Sequence, residues 1–358
     1  MASAGLNFGN LTPSNGALQE LNQLLFLKVL GEDRLAQVFN VIFGTQNGKK
    51  VGFVGEFGLV GKAAQGCNPT YDNATIETSE KTWALGEWGV YQQICYRDLV
   101  GTLAQSAMRR GVNIADLTGT EYVDDVVYPR LELAIYKMLM RLAWFGDTGA
   151  DNVSDGGVIT DGVSTEYFAV ADGFWKRFFA IVAADSSRRV AIAANDEATF
   201  ASQKSALLAN GVATGILDNL LINASPELRQ AGNQVIFVTQ TLKDALNLDI
   251  RKNNIGSELQ WRSIFDGITE TDYQGVRLVA LPFWDSIIQA YESNGTKYNK
   301  PHRALYTTTD NLLVGIDGQS DFAELKVVFD EKSELNLLKS KGAIGTLVAQ
   351  DNIVQVAY

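Results

Sequence analysis

Between residues 47 and 66 the chain reads NGKKVGFVGEFGLVGKAAQG, with Gly52, Gly55, Gly58 and Gly61 at every third position. Collagen has such a period, but here it lasts four repeats and contains no proline, so a triple helix is excluded. Phe53, Val54, Phe57, Leu59 and Val60 fill the gaps. Glycine supplies backbone freedom while large apolar side chains need burial, and a free-standing loop offers nowhere to bury them. Two arrangements satisfy both demands: a hairpin folded onto its own domain, or a projection completed by another subunit. The second makes Gly52, Phe53, Gly55, Phe57, Gly58, Leu59 and Gly61 inter-subunit contacts.

Composition narrows the setting. With 358 residues, 46% of them apolar and 20% charged, the chain folds into one large core or two modest ones. Thirty Lys and Arg against 41 Asp and Glu give a net charge of −11, which rules out a generic nucleic-acid clamp but leaves room for a local basic patch. One histidine, His302, and two cysteines, Cys67 and Cys95, are too few and too scattered for a zinc site, so no metal is expected. So few cysteines suit a reducing compartment, and the sequence leaves their disulfide state open. The first 27 residues lack Lys and Arg, so a signal peptide is not expected. The apolar run Leu131 to Phe145 is broken by Glu132, Lys137 and Arg141 and is too short for a membrane span, so a soluble protein made in the cytoplasm is expected.

Met1 to Gly16 reads as an extended arm, and Leu18, Leu21, Leu25 and Val29 as a short amphipathic helix. Thr75 to Tyr96 is strand-like, rich in β-branched and aromatic residues. The clearest element is a helix over 124–145, in which Val127, Leu131, Ala134, Met138, Leu142 and Phe145 step by three and four. Asp124 and Asp125 suit its N-terminal end, Pro129 is tolerable only near the first turn, and Gly146 is a fitting stop. Beyond a turn-rich connector over 147–162, helices are predicted near 173–184, 196–210 and 284–293. Strands are predicted over 234–239, 275–281, 303–308, 312–316 and 324–329. Interspersed helices and strands without regular alternation make the class α+β.

The chemical motifs fail when tested. Gly61-Lys62 ends a phosphate-loop pattern, but Glu56 replaces its first glycine and Ala63 its hydroxyl. Asp151 to Asp155 has Val153 and Gly162 at calcium-ligand positions. No G-x-S-x-G elbow occurs, so no serine nucleophile of that type is expected. His302 sits at a strand entrance, where a structural role is expected, and the acid pairs Asp124/Asp125 and Glu331/Glu334 read as solvated faces. No catalytic residue and no cofactor are expected. The six tryptophans, spread along the chain, read as core and interface anchors.

A loose N-terminal arm, a Gly-rich apolar loop, a tryptophan-bearing strand pair, a long helix and an α+β middle follow one another. They end in HRALYTTTDNLLVGIDG (302–318) and FAELKVVFDEKSELNLLKSKGAIGTLVAQDNIVQ. This order resembles the major capsid proteins of tailed bacteriophages, which share the Hong Kong 97 phage-type, or Johnson, fold. The resemblance implies an N-terminal arm over 1–46 and an extended β-hairpin loop over 47–80, its core near Gly48 to Asn68, lying over a neighbouring subunit. It implies a peripheral domain over 81–164 and 319–358 with 124–145 as its spine helix, and an axial domain over 165–318. By the same likeness the protein is not an enzyme. It self-assembles into hexamers and pentamers of an icosahedral virion shell around double-stranded DNA, without sequence-specific binding, in a host bacterial cytoplasm. Scaffolding, portal and decoration proteins are the partners it implies, with no membrane. Lys62 and Asn352 are of the types some relatives join by an isopeptide bond. The competing readings are an encapsulin-like nanocompartment subunit, a carboxylate-based hydrolase and a tail-associated module.

Overall fold

The computed structural model describes residues 38–57, 76–95, 128–149, 165–253, 259–265, 267–317, 326–333 and 335–358. The expected N-terminal arm and helix up to residue 37 lie outside these, as do Cys67, Asp124, Asp125, Val127, Glu334 and the tested calcium loop. The described chain opens with β1 (Asn40–Phe43), β2 (Lys50–Phe57), β3 (Ile76–Thr82) and β4 (Gly86–Cys95), followed by α1 (Tyr128–Phe145), α2 (Phe174–Ala184) and β5 (Arg189–Val190). Then come α3 (Phe200–Leu207), α4 (Val212–Ile222), α5 (Pro226–Gln230), β6 (Gln234–Val238), α6 (Gln240–Asn253), β7 (Arg262–Phe265), β8 (Ile268–Tyr273), β9 (Val276–Ala280) and α7 (Pro282–Tyr291). The strands β10 (Ala304–Thr308), β11 (Leu312–Ile316), β12 (Lys326–Asp330), β13 (Leu335–Val348) and β14 (Gln355–Ala357) close the order.

Helix α1 forms where the spacing predicts it. Its described part is Tyr128–Phe145, residues 124–127 of the expected span lying outside the described residues, and the Gly146 N–H closes the last turn on the Leu142 carbonyl at 3.1 Å. The buried stripe, however, runs through Leu131, Ile135, Leu139 and Leu142, with Met138 at its margin. Ala134 is exposed, which corrects its expected packing role: a step of three from Leu131 lands it on the solvent side, whereas Ile135 at a step of four is buried. From Leu139 onward almost every residue is buried, because the helix end enters the core.

That core is aromatic. Trp284 meets Trp144 at 4.8 Å and Trp175 at 4.9 Å, both edge-on, and Trp144 meets Phe174 at 5.1 Å. Edge contacts of this kind add to what area burial alone supplies. Five of the six tryptophans are buried, so they serve as anchors and not as an open platform.

Two large sheets flank this cluster. A seven-stranded sheet has the order β5-β14-β10-β6-β9-β8-β7, with β6 and β9 parallel. Both faces of β6 are buried: Val235 and Phe237 join the tryptophan core, while Ile236 and Val238 face a second core with α4 and α6. The five-stranded sheet is built on β13, which carries β4 on one side and β12 and then β11 on the other, with β1 parallel to β11. Residues 38–43, at the inner end of the expected arm, are thus a core segment (Val38 1% and Phe39 2% exposed) and a sheet strand. The strand-like stretch over 75–96 is two strands in different sheets, divided at 83–85.

Two helices begin on carboxylates borrowed from other helices. Asp249 of α6, 0% exposed, accepts from the N–H groups of Gly211, Ala213 and Thr214 at the start of α4. Asp285 of α7 accepts from Gln240 and Thr241 at the start of α6. Each satisfies donors that a helix start leaves unpaired. Asp249→Ala orphans three of them and is expected to cost about 2–4 kcal/mol. Denaturant unfolding of the variant against the parent measures this, and a change within error removes Asp249 from that role.

Candidate functional site

Strands β2 and β3 form a two-stranded ladder, from Lys50 opposite Thr82 to Phe57 opposite Ile76, with an irregularity between Val54 and Phe57. Among the described residues it pairs with neither larger sheet, so it is a hairpin held only at its root. An isolated pair of strands is marginal in water, and the root therefore carries the stability. There the Gly48 N–H donates to the Trp83 carbonyl at 2.9 Å, the Trp83 N–H to the Lys49 carbonyl at 3.0 Å, and the Leu85 N–H to Asn47 Oδ1 at 3.1 Å. Lys81 Nζ bridges to the Val348 carbonyl at 2.8 Å and to Asp351 at 2.5 Å.

The apolar half of the root is Trp83, 2% exposed, packed with Leu313, Leu347 and Ala349 and flanked by Val51 and Leu85. Two glycines make room for it. Gly315 of β11 and Gly345 of β13 are direct cross-strand partners. A Cβ at Gly315 would stand 2.6 Å from the Trp83 ring, and one at Gly345 2.5 Å from the Ala84 carbonyl oxygen. Real Cβ atoms do not approach so closely, so only a glycine pair lets residues 83–85 cross flat over the sheet.

The same sheet face continues uncovered. Along β13, Asn336, Leu338 and Ser340 are buried on the side where α1 and α2 pack, while Leu337, Lys339 and Lys341 point away. Opposite them on β4 stand Gln93, Tyr91 and Gly89, and on β12 Val328 faces Leu337. Val328 is 52%, Tyr91 62% and Leu337 38% exposed.

Of the residues expected to contact a neighbouring subunit, Gly52, Phe53, Gly55 and Phe57 lie on β2, while Gly58, Leu59 and Gly61 fall outside the described residues. Lys62 also lies outside them. Asn352 is exposed, its backbone carbonyl accepting from Arg188 at 2.6 Å and Ser225 at 2.7 Å. Leu131 and Leu142 are buried and Met138 half-buried.

A cleft of about 520 Å³ between α3, α6 and α7 has His302, Thr241 and Asp285 in its wall. Its polar groups already have structural partners: His302 Nδ1 lies 3.1 Å from Thr241 Oγ1 and Nε2 3.3 Å from the Gln203 carbonyl, and Asp285 caps α6. Burial pushes the imidazole pKa down to about 4, so it is neutral at pH 7. Among the described residues no cluster of His, Cys, Asp or Glu suits a metal ion.

No protein-family model matches the sequence, and no curated protein matches it significantly. Solved structures do match its fold. A chain of the satellite phage P4 procapsid including the size determination (Sid) protein is 10% identical and superposes with a TM-score of 0.53, over 94% of this chain and 98% of that one. A chain from Microbacterium phage Oxtober96 is 13% identical, with a TM-score of 0.48 over 89% and 88%. The capsid of a native GTA particle gives 10% and 0.42 over 90% and 88%. The chain thus has the fold of a phage procapsid subunit almost from end to end.

Gly345→Val drives a side chain into the Ala84 carbonyl and is expected to loosen the root. Hydrogen exchange at the Gly48, Trp83 and Leu85 amides should speed up at least tenfold while α1 stays protected, and unchanged exchange would rule out the glycine pair as the seat. For His302, the folded state holds the ring neutral while the unfolded chain protonates it near pH 6.5. Its contribution is therefore complete above about pH 6.5 and lost as the pH falls toward 4, amounting to about 3 kcal/mol. Glu292, raised to about 7 by burial although Arg303 faces it, acts in the opposite sense between pH 7 and 4.5. Unfolding titrations of parent and His302→Gln between pH 7.5 and 4.5 isolate the imidazole, and parallel curves would contradict its titration.

Proposed function

We propose that this chain is the shell subunit of a tailed bacteriophage, assembling as hexamers and pentamers into an icosahedral capsid around double-stranded DNA. The observation that carries the reading is the procapsid fold, matched over 94% of this chain and 98% of its counterpart. In this reading residues 47–80 form the extended loop that lies on a neighbouring copy. Residues 165–318 are the axial part and 81–164 with 319–358 the peripheral part, each lending a strand to the other's sheet: β14 pairs with β10 and β5, and β11 with β13.

The physical arrangement supports it. Among the described residues the β2–β3 hairpin pairs with neither larger sheet, and the sheet face beside its root keeps Tyr91, Leu337 and Val328 exposed. Shell interfaces are large and more apolar than ordinary surface, and closed symmetry repeats each contact many times. The single imidazole is bound within the fold, in keeping with a structural rather than enzymatic role. The net charge of −11 keeps the shell from clamping its own cargo.

The full chain, expressed alone or with a scaffolding partner, is expected to give closed particles of uniform diameter under the electron microscope. Nuclease-protected DNA in particles from infected cells supports the genome reading, whereas enzyme cargo would favour a nanocompartment. A chain that stays monomeric at high concentration in both settings overturns the proposal. A denaturing gel of mature shells with bands at multiples of the monomer mass would place a covalent link between copies, for which Lys62 and Asn352 are the pair to substitute.

A further inference from the structure

Helix α1 buries one side in the tryptophan core and leaves the other open. On the open side stand Arg130 and Lys137, both exposed, and Arg141, half-buried. At 3.6 residues per turn these three fall within a sector about 40° wide and span about 16 Å of axis. Neither Arg130 nor Lys137 meets a carboxylate among the described residues. Arg141 is held in place: its Nε donates to the Tyr167 carbonyl at 3.4 Å, and its guanidinium lies 5.8 Å from the Tyr167 ring and 5.5 Å from the Phe168 ring. Three aligned cations on a helix, with no carboxylate partner among the described residues, contrast with a chain of net charge −11.

We propose that this stripe docks the phosphate backbone of double-stranded DNA; the inference rests on the reading of the chain as a shell around such a genome. Charge complementarity and shape carry it. About 16 Å of duplex presents about nine phosphate charges in a regular line, and a straight row of long cationic side chains matches a line better than it matches a folded surface. A protein partner would need a contiguous apolar centre, and among the described residues the stripe offers Leu133, 47% exposed, and, beside Arg141, Tyr167, 58% exposed, separated by charged side chains. Three contacts per subunit give a weak, sequence-independent, salt-sensitive hold, which the chain's net charge of −11 keeps from becoming a clamp. The opposite side of the same two-layer unit, with the hairpin root and Lys339 and Lys341, is left for other contacts.

The test uses the full chain below the concentration at which particles form, with a fluorescent 30-base-pair duplex of random sequence, between 50 and 200 mM salt. Arg130→Gln/Lys137→Gln is expected to weaken binding roughly tenfold at 50 mM and to lower the log–log salt slope by about two. Arg130→Lys/Lys137→Arg is expected to retain both, and Lys339→Gln/Lys341→Gln to leave both unchanged. The stripe proposal is overturned by a charge-removed variant that binds duplex as the parent does, or by a parent that prefers polyglutamate to DNA. Particle formation, scored in parallel by electron microscopy, separates the two readings. Particles with stripe-independent DNA binding sink the stripe alone; stripe-dependent binding without particles supports the stripe and removes the shell.

Discussion

The attachment of the hairpin to the body depends on one close approach, the crossing of residues 83–85 over Gly315 and Gly345. Because these two glycines are cross-strand partners, the sheet has a spot with no side chain, and an indole and a stretch of main chain can lie directly on it. This seat holds the hairpin to the body and separates β3 from β4, so that one continuous strand-like sequence serves two sheets. Filling either glycine position would disturb the hairpin root before it disturbed the core, since Trp83 packs in a small cluster of its own.

The five-stranded sheet then divides the peripheral region into two sides of different character. One side is sealed by α1 and α2 through Leu338, Ile344 and Trp88. On the other, among the described residues, Trp83 and the hairpin root cover one part, and the rest presents apolar and lysine side chains in alternation with buried ones along β13. The far surface of α1 is polar and cationic. A subunit with such layers has two distinct outward surfaces on opposite sides of one hydrophobic seam, and each can be substituted without touching the other.

Elements whose signal is local were legible in the sequence. Helix α1 announced itself through period, Pro129 and Gly146, and the short apolar runs of β6, β9, β10 and β11 fell close to their expected limits. What escaped depends on distant partners. Helix α6 was not foreseen, since its inward face carries Asp249, a charge that makes sense only as the cap of α4 thirty-odd residues earlier. Helix α4 was missed because Gly215 interrupts its pattern. The break at 83–85 was invisible because Trp83, Ala84 and Leu85 look as strand-like as their neighbours, and its cause lies at residues 315 and 345. Lys137 and Arg141 were visible only as interruptions of an apolar run; alignment with Arg130 needed the helix itself.

Strand β14 lies between β5 and β10, joining Arg189–Val190 to Ala304–Thr308. Those flanking segments are synthesised first and have no direct pairing with each other, so the seven-stranded sheet stays open until residue 357 has left the ribosome. Strand β14 is thus the latch of the seven-stranded sheet. Residues 189–190 and 304–308, more than a hundred positions apart in the chain, become members of one sheet edge only through it.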